Sequence, residues 1–247
     1  MRKIKKIFIV CGHRTTGAIA NDHTTERELC QRICDEINHP LVEKVGVDIN
    51  LTIKEKITVI NSICKMNVIN DSNSIMVEIH CDCVKASGGE MAYYRDGSIK
   101  GKELGKAIIK EMPLIDKYVL SDTKSRYKSF GILRKSVPLS VIIECGSLGY
   151  DLKHLKNNPK IIGQSLLKGI LKHTGVTTGK VSSWAREAVK LAKEKGIEND
   201  WTNPQEIVGT KTLSLIFKKF GWSNTVFKEG MTKEQLVTML WKNGYLK

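Results

Sequence analysis

Residues 7–28, IFIVCGHRTTGAIANDHTTERE, decide how the rest of the chain is read. The apolar run Ile7–Val10 has the length and make-up of a short buried strand. It ends in Cys11-Gly12-His13, which puts His13 at the carboxyl end of a sheet strand, the edge where open α/β folds keep their sites. A polar loop follows, and then a helix start. Thr25-Glu26-Arg27-Glu28 fits a capping box, with Thr25 as cap and Glu28 reaching back to it. Glu26 is thereby left in the first helical turn with no capping duty. Leu29, Cys30, Ile33, Cys34 and Ile37 repeat at helical spacing and mark the face turned to the core.

The pattern repeats outward from this unit. An extended stretch at Lys44–Leu51 leads to a second capping box, Thr52-Ile53-Lys54-Glu55, whose helix carries Ile53, Ile57, Ile60 and Cys64 as its apolar stripe. Ser74–His80 reads as a strand. Its alternation puts Glu78, His80 and Asp82 on one side and Val77, Ile79, Cys81 and Cys83 on the other, so a Cys/His zinc knuckle is disfavoured there. Glu90–Tyr94 is a short strand, Gly101–Met112 a helix, and Tyr118–Leu120 and Ser129–Leu133 are expected as short strands. Pro138–Glu144 is an apolar strand ending in a carboxylate, and Lys160–His173 a helix burying Ile162, Leu166 and Ile170. This order predicts an α/β domain over residues 1–174, a mostly parallel sheet flanked by helices. Small and polar residues at 175–183 read as a linker. A small helical domain is expected over 184–247, where all four tryptophans lie.

A formal net charge of +14 draws the chain toward polyanions such as nucleic acid, anionic membrane or an anionic cell wall. No basic cluster interleaved with aromatics appears, which argues against specific nucleic-acid recognition. No apolar run approaches membrane-spanning length, so no membrane partner is expected. Behind the basic start Met1–Lys6 the apolar run is too short for a secretion signal, so the protein is expected to stay in the cytoplasm of the cell that makes it. Seven cysteines, all between Cys11 and Cys145 and without a paired spacing, read as free buried thiols.

Parallel strands share one carboxyl edge, so His13, His80 and Glu144 can converge there, with Glu26 one loop away. Each group alone has an ordinary explanation, a satisfied core histidine or a paired acid. Together, two histidines and a carboxylate make a catalytic zinc set that leaves a fourth position for water. A further carboxylate can then act as base and proton shuttle. An apolar strand that carries Glu144 into the interior asks for such a role, because an unpaired buried carboxylate costs several kcal/mol.

These residues also carry a family pattern. Residues 4 to about 173 resemble the zinc-dependent N-acetylmuramoyl-L-alanine amidases of phage endolysins and bacterial autolysins. The resemblance rests on Gly12-His13, on Glu26 followed by Leu29, Cys30 and Ile33, and on Glu78-Ile79-His80-Cys81-Asp82. It continues in Gly89-Glu-Met-Ala-Tyr93-Tyr94 and Pro138-Leu-Ser-Val-Ile-Ile-Glu144-Cys-Gly146, in the family's order. Asp82 replaces the commoner Asn, Arg14 stands where a second glycine is usual, and Lys56 where Arg is common. The resemblance implies His13, Glu26 and His80 as zinc ligands and Glu144 as the catalytic acid/base. It implies peptidoglycan as substrate, cut between the lactyl group of muramic acid and L-alanine.

The tail, with Trp184–Gly196, Pro204 and Met231–Leu240, resembles an S-layer-homology segment, which implies binding of a secondary cell-wall polymer through residues 184–247. With the expected cytoplasmic retention, this suggests a phage endolysin of a Gram-positive host, held in the host cytoplasm until lysis and acting then on the wall. The competing readings are a related zinc peptidase acting on another amide, and a non-enzymatic polyanion-binding protein.

Overall fold

Strand alternation sorts the apolar residues onto the two faces of one sheet. The computed structural model describes residues 3–83 and 88–176 of the 247-residue chain. The elements run β1 (Lys6–Cys11), α1 (Glu26–Asp35), β2 (Val42–Val45), α2 (Ile53–Met66), β3 (Ser74–Asp82), β4 (Glu90–Tyr94) and α3 (Ile99–Glu111). They continue with β5 (Lys117–Ser121), α4 (Gly131–Lys135), β6 (Leu139–Ser147), α5 (Leu152–Asn157) and α6 (Pro159–Thr174). The six strands lie in the order β2-β1-β3-β6-β4-β5. Strands β2, β1, β3 and β6 run parallel to one another, as do β4 and β5, and of the pairings between these strands only β4–β6 is antiparallel.

Ile7, Ile9 and Cys11 of β1, Ile75, Val77 and Ile79 of β3, and Val141 and Ile143 of β6 face a core completed by α1, α3 and α6. The intervening residues Phe8, Val10, Met76 and Ile142 face α2 and α4 on the other side. Helices thus flank both faces, the α/β arrangement expected. All seven cysteines are free, and all but Cys83 are buried.

Both threonines cap their helices as expected, but only the second closes a full capping box; among the described residues no hydrogen bond forms between the Glu28 side chain and Thr25. Thr25 caps α1, its hydroxyl accepting from the Glu28 backbone N–H at 3.2 Å. Thr52 and Glu55 form both bonds of the capping box on α2.

Four details depart from the sequence reading. The extended stretch expected at Lys44–Leu51 pairs as β2 only over Val42–Val45, because Gly46 turns the chain at φ +70°. Ser129–Leu133 is not a strand; α4 begins at Gly131, and both Ile132 and Leu133 pack into the α2-side core while Arg134 reaches buried Asp122 at 2.8 Å. A five-residue run is too short for its periodicity to separate helix from strand. On α2, Ile60 and Cys64 are buried with Ile57 packed beside them as expected, but Lys56, at i, i+4, i+8 spacing with Ile60 and Cys64, joins them, and Ile53, 56% exposed, does not. Helix α5 is additional.

The chain divides into two compact units, Met1–Val176 and Thr177–Lys247. The helical wall-binding segment read at 184–247 and all but the first two residues of the 175–183 linker lie outside the described residues.

One buried acid outside the His13–Glu26–His80–Glu144 group gives the fold a pH dependence. Glu90 opens β4, wholly buried, with Oε1 accepting from Leu114 N–H at 3.0 Å and Oε2 unpartnered among the described residues. Burial pushes its carboxyl from 4.5 up to about 7. An acid that holds its proton more tightly when folded favours the fold at low pH, and that contribution is lost as pH rises from 4.5 through about 7. The difference amounts to about 3 kcal/mol. In Glu90→Gln this pH dependence should be missing, so denaturant melts of the two proteins should diverge between pH 5 and 8 by roughly that amount. Parallel stability–pH curves would contradict the assignment.

Candidate metal centre

The site forms where β1, β3 and β6 end together. The backbone N–H of Gly12 donates to Ile79 O at 2.8 Å, extending the β1–β3 ladder one residue past the strand. His13 then takes a left-handed conformation at φ 52°, which swings its ring across the end of β3. The Arg27 guanidinium, buried under this turn, donates to Gly12 O and His13 O at 3.3 Å and to Val47 O at 2.7 Å. One side chain thereby ties the His13 turn to α1.

Glu26, the first residue of α1, is buried, whereas Glu28 is exposed. Glu26 Oε1 lies 2.8 Å from His13 Nε2 and 3.1 Å from His80 Nδ1, and it accepts from Cys81 N–H at 3.2 Å. Its Oε2 accepts from Ala18 N–H at 3.1 Å. The two imidazoles meet edge to face with ring centres 4.8 Å apart. One ligand atom from each of His13, Glu26 and His80 lies within 4.8 Å of the others.

Glu144 stands directly opposite His80 in the β3–β6 pairing, so both side chains leave the same face of the sheet. Its Oε2 is buried and has no hydrogen-bond partner among the described residues. Burial, joined by the charges of Glu26, Asp82 and Glu78 and opposed by His80, pushes its carboxyl up to about 8. Tyr93, on the neighbouring β4, is pushed up to about 12 by burial and by Glu144 and Asp82. Burial works against the charge on Glu26 too, but the hydrogen bonds and charges of both histidines prevail and hold it well below the usual carboxylate range. For His80, burial is outweighed by Glu78 and Glu26, which hold its proton more tightly than usual.

Two glycines make room for this. A Cβ on Gly12 would fall on the Ile79 carbonyl and within 2.9 Å of the His80 ring. A Cβ on Gly17, at φ +65°, would stand 2.7 Å from the His13 ring and 2.9 Å from Glu26 Oε2. The structure thus brings together all four residues singled out from the sequence. It adds Gly17, Arg27, Lys56 and Glu78, which sequence reasoning did not place in the site. For Lys56 a signal existed: it sits four residues before Ile60 and eight before Cys64.

The donor set suits a metal ion. Two neutral imidazoles and one carboxylate match a three-ligand zinc site, in which tetrahedral donors stand about 3.4 Å apart. The observed contacts lie close to that spacing.

Residues 7–172 match the family model described as N-acetylmuramoyl-L-alanine amidase. The chain belongs to this amidase family. No curated protein matches the chain. Among solved structures, the amidase fold is shared with the N-acetylmuramoyl-L-alanine amidase from Clostridium difficile 630, at TM-score 0.56 and 19% identity over 70% of this chain and 98% of that one. The catalytic domain of the amidase CwlV from Bacillus (Paenibacillus) polymyxa gives TM-score 0.55 and 19% identity, covering 69% of this chain and 99% of that one. The catalytic domain of the CD27L endolysin, described as targeting Clostridia difficile, gives 0.53 and 17%, covering 68% and 97%. At these identities the likeness is one of fold, and the matched region coincides with the described α/β domain.

Proposed function

We propose that the chain is a zinc-dependent N-acetylmuramoyl-L-alanine amidase, with His13, Glu26 and His80 as metal ligands and Glu144 as the acid/base. The observation that carries this reading is the gathering of three ligand atoms within 4.8 Å beside a buried, unpartnered carboxylate oxygen. A zinc ion held there would polarise the scissile carbonyl and lower the pKa of water to about 7. Glu144 takes the proton of the attacking water and returns it to the amine of L-alanine as the amide bond breaks. A dication held by the three ligands would make its carboxyl more acidic than the value of about 8 it has without one. Glu26 keeps its negative charge throughout, held by backbone N–H groups of Ala18 and Cys81.

We place the activity on Gram-positive peptidoglycan, in a phage endolysin. The resemblance to the endolysin and autolysin pattern and the fold shared with the CD27L catalytic domain support this setting. Residues 184–247, with four tryptophans in a strongly basic chain, would hold the enzyme to an anionic wall polymer. The test is metal content of the purified protein together with turbidity loss of isolated Gram-positive walls. About one zinc per chain and new α-amino groups on L-alanine are the expected results. New amino groups on another residue would point to a peptidase of the same fold, and no metal with no lysis would reject the reading.

A further inference from the structure

The side of His80 turned away from Glu26 is occupied by a second buried carboxylate. His80 Nε2 lies 3.3 Å from Glu78 Oε2, and Glu78 Oε1 lies 3.2 Å from Lys56 Nζ. Lys56 is 1% exposed, and its ammonium also donates to Cys11 O. Each oxygen of Glu78 therefore has one partner, and the lysine reaches both strands that carry the histidines: β1 through Cys11 and β3 through Glu78. A buried ion pair is weak support for a fold, since apolar residues of similar volume often serve as well. Here the pair lies on the sheet face lined by Phe8, Val10, Met76 and Ile142, where an apolar pair would suit the core. Its contact with His80 is what an apolar pair could not supply.

We propose that Glu78, held in place by Lys56, is a positioning residue that fixes the tautomer and ring orientation of His80. A neutral imidazole carries one N–H and one lone pair. With the proton on Nε2, on the side of the Glu78 carboxylate, the lone pair of Nδ1 faces the donor cluster formed with Glu26 and His13. Lys56 engages one oxygen of the carboxylate and leaves the other on the histidine, as with a carboxylate behind a metal-ligating histidine. This inference rests on the metal reading above, and it concerns which nitrogen of His80 takes the metal and how tightly the site binds it.

Two double variants separate this role from simple ion pairing. Lys56→Met/Glu78→Leu removes both charges and the acceptor. Lys56→Met/Glu78→Gln removes both charges and leaves an amide oxygen free to accept from His80. Zinc affinity is read by competition with a chromophoric chelator, alongside thermal melts of the zinc-free proteins to register folding. The Leu variant is expected to bind zinc about 10–100-fold more weakly than wild type, and the Gln variant to recover most of that loss. Equal affinity of wild type and the Leu variant, or an equal loss in both variants, would overturn the proposal. A measurement on the zinc-loaded wild type needs no variant to fold: long-range proton–nitrogen NMR should show His80 protonated at Nε2, and protonation at Nδ1 would also overturn it. A wild-type protein that binds no zinc would remove the metal reading itself, an outcome distinct from a zinc-binding protein indifferent to Glu78.

Discussion

Glu144→Gln should keep its zinc and lose its turnover. Glu144 is not among the three clustered ligands, and burial already favours its uncharged form, so the amide is a near-neutral replacement in shape and charge. What the amide cannot do is take a proton from water and hand it to the departing amine. General acid–base groups contribute on the order of 10²–10⁴-fold, so a fall of about a thousand-fold in kcat is expected, near 4 kcal/mol of transition-state stabilisation. Release of L-alanine amino groups from purified walls, measured with metal content on the same sample, reads both halves. Near-normal turnover with full zinc would show that another group moves the proton.

His80→Ala should lose metal and activity together. The imidazole supplies one of three ligand atoms, and its removal leaves Glu26 and Glu78 facing a gap with their charges uncompensated on that side. Zinc affinity should fall by more than the roughly 10–100-fold expected when only a supporting residue is lost. A second readout is independent of catalysis. Zinc present at a thousand times its dissociation constant stabilises the folded chain by about 4 kcal/mol, which corresponds to a rise in Tm of roughly 10 °C for a domain of this size. The wild type should show that rise, whereas His80→Ala should melt at nearly the same temperature with and without zinc. A full zinc-dependent rise in the variant would place the metal elsewhere.

The parts of the site that could be read from the chain are those announced by local chemistry. His13 follows an apolar strand and a glycine. The sequence sets Glu26 apart from Glu28 by giving Glu28 to the Thr25 cap; in the structure only the Glu28 backbone N–H meets Thr25, and burial separates the two, Glu26 lying against both imidazoles while Glu28 is exposed. Strand alternation placed Glu78 and His80 on one face, and the structure has them there with Glu144 across the β3–β6 pairing. Each inference used residues within about one turn or one strand of one another, where backbone geometry alone decides direction.

The parts not read from the chain depend on distant partners. Ile53 looked like the start of the α2 stripe, yet Lys56 is the side chain drawn inside. Its partners are Glu78, 22 residues on, and Cys11 O, 45 residues back. Arg27, in the helix start capped by Thr25, turns inward for three carbonyls of the His13 turn and of Val47. At Gly17 a Cβ would strike His13 and Glu26, which becomes visible only once the loop has folded back over them.

By itself, then, the order of strand ends, caps and apolar periods determined an α/β sheet and named the four groups on its carboxyl edge. Tertiary structure alone decided which charges enter the core with them, because a buried charge is tolerated only where a partner from another element meets it.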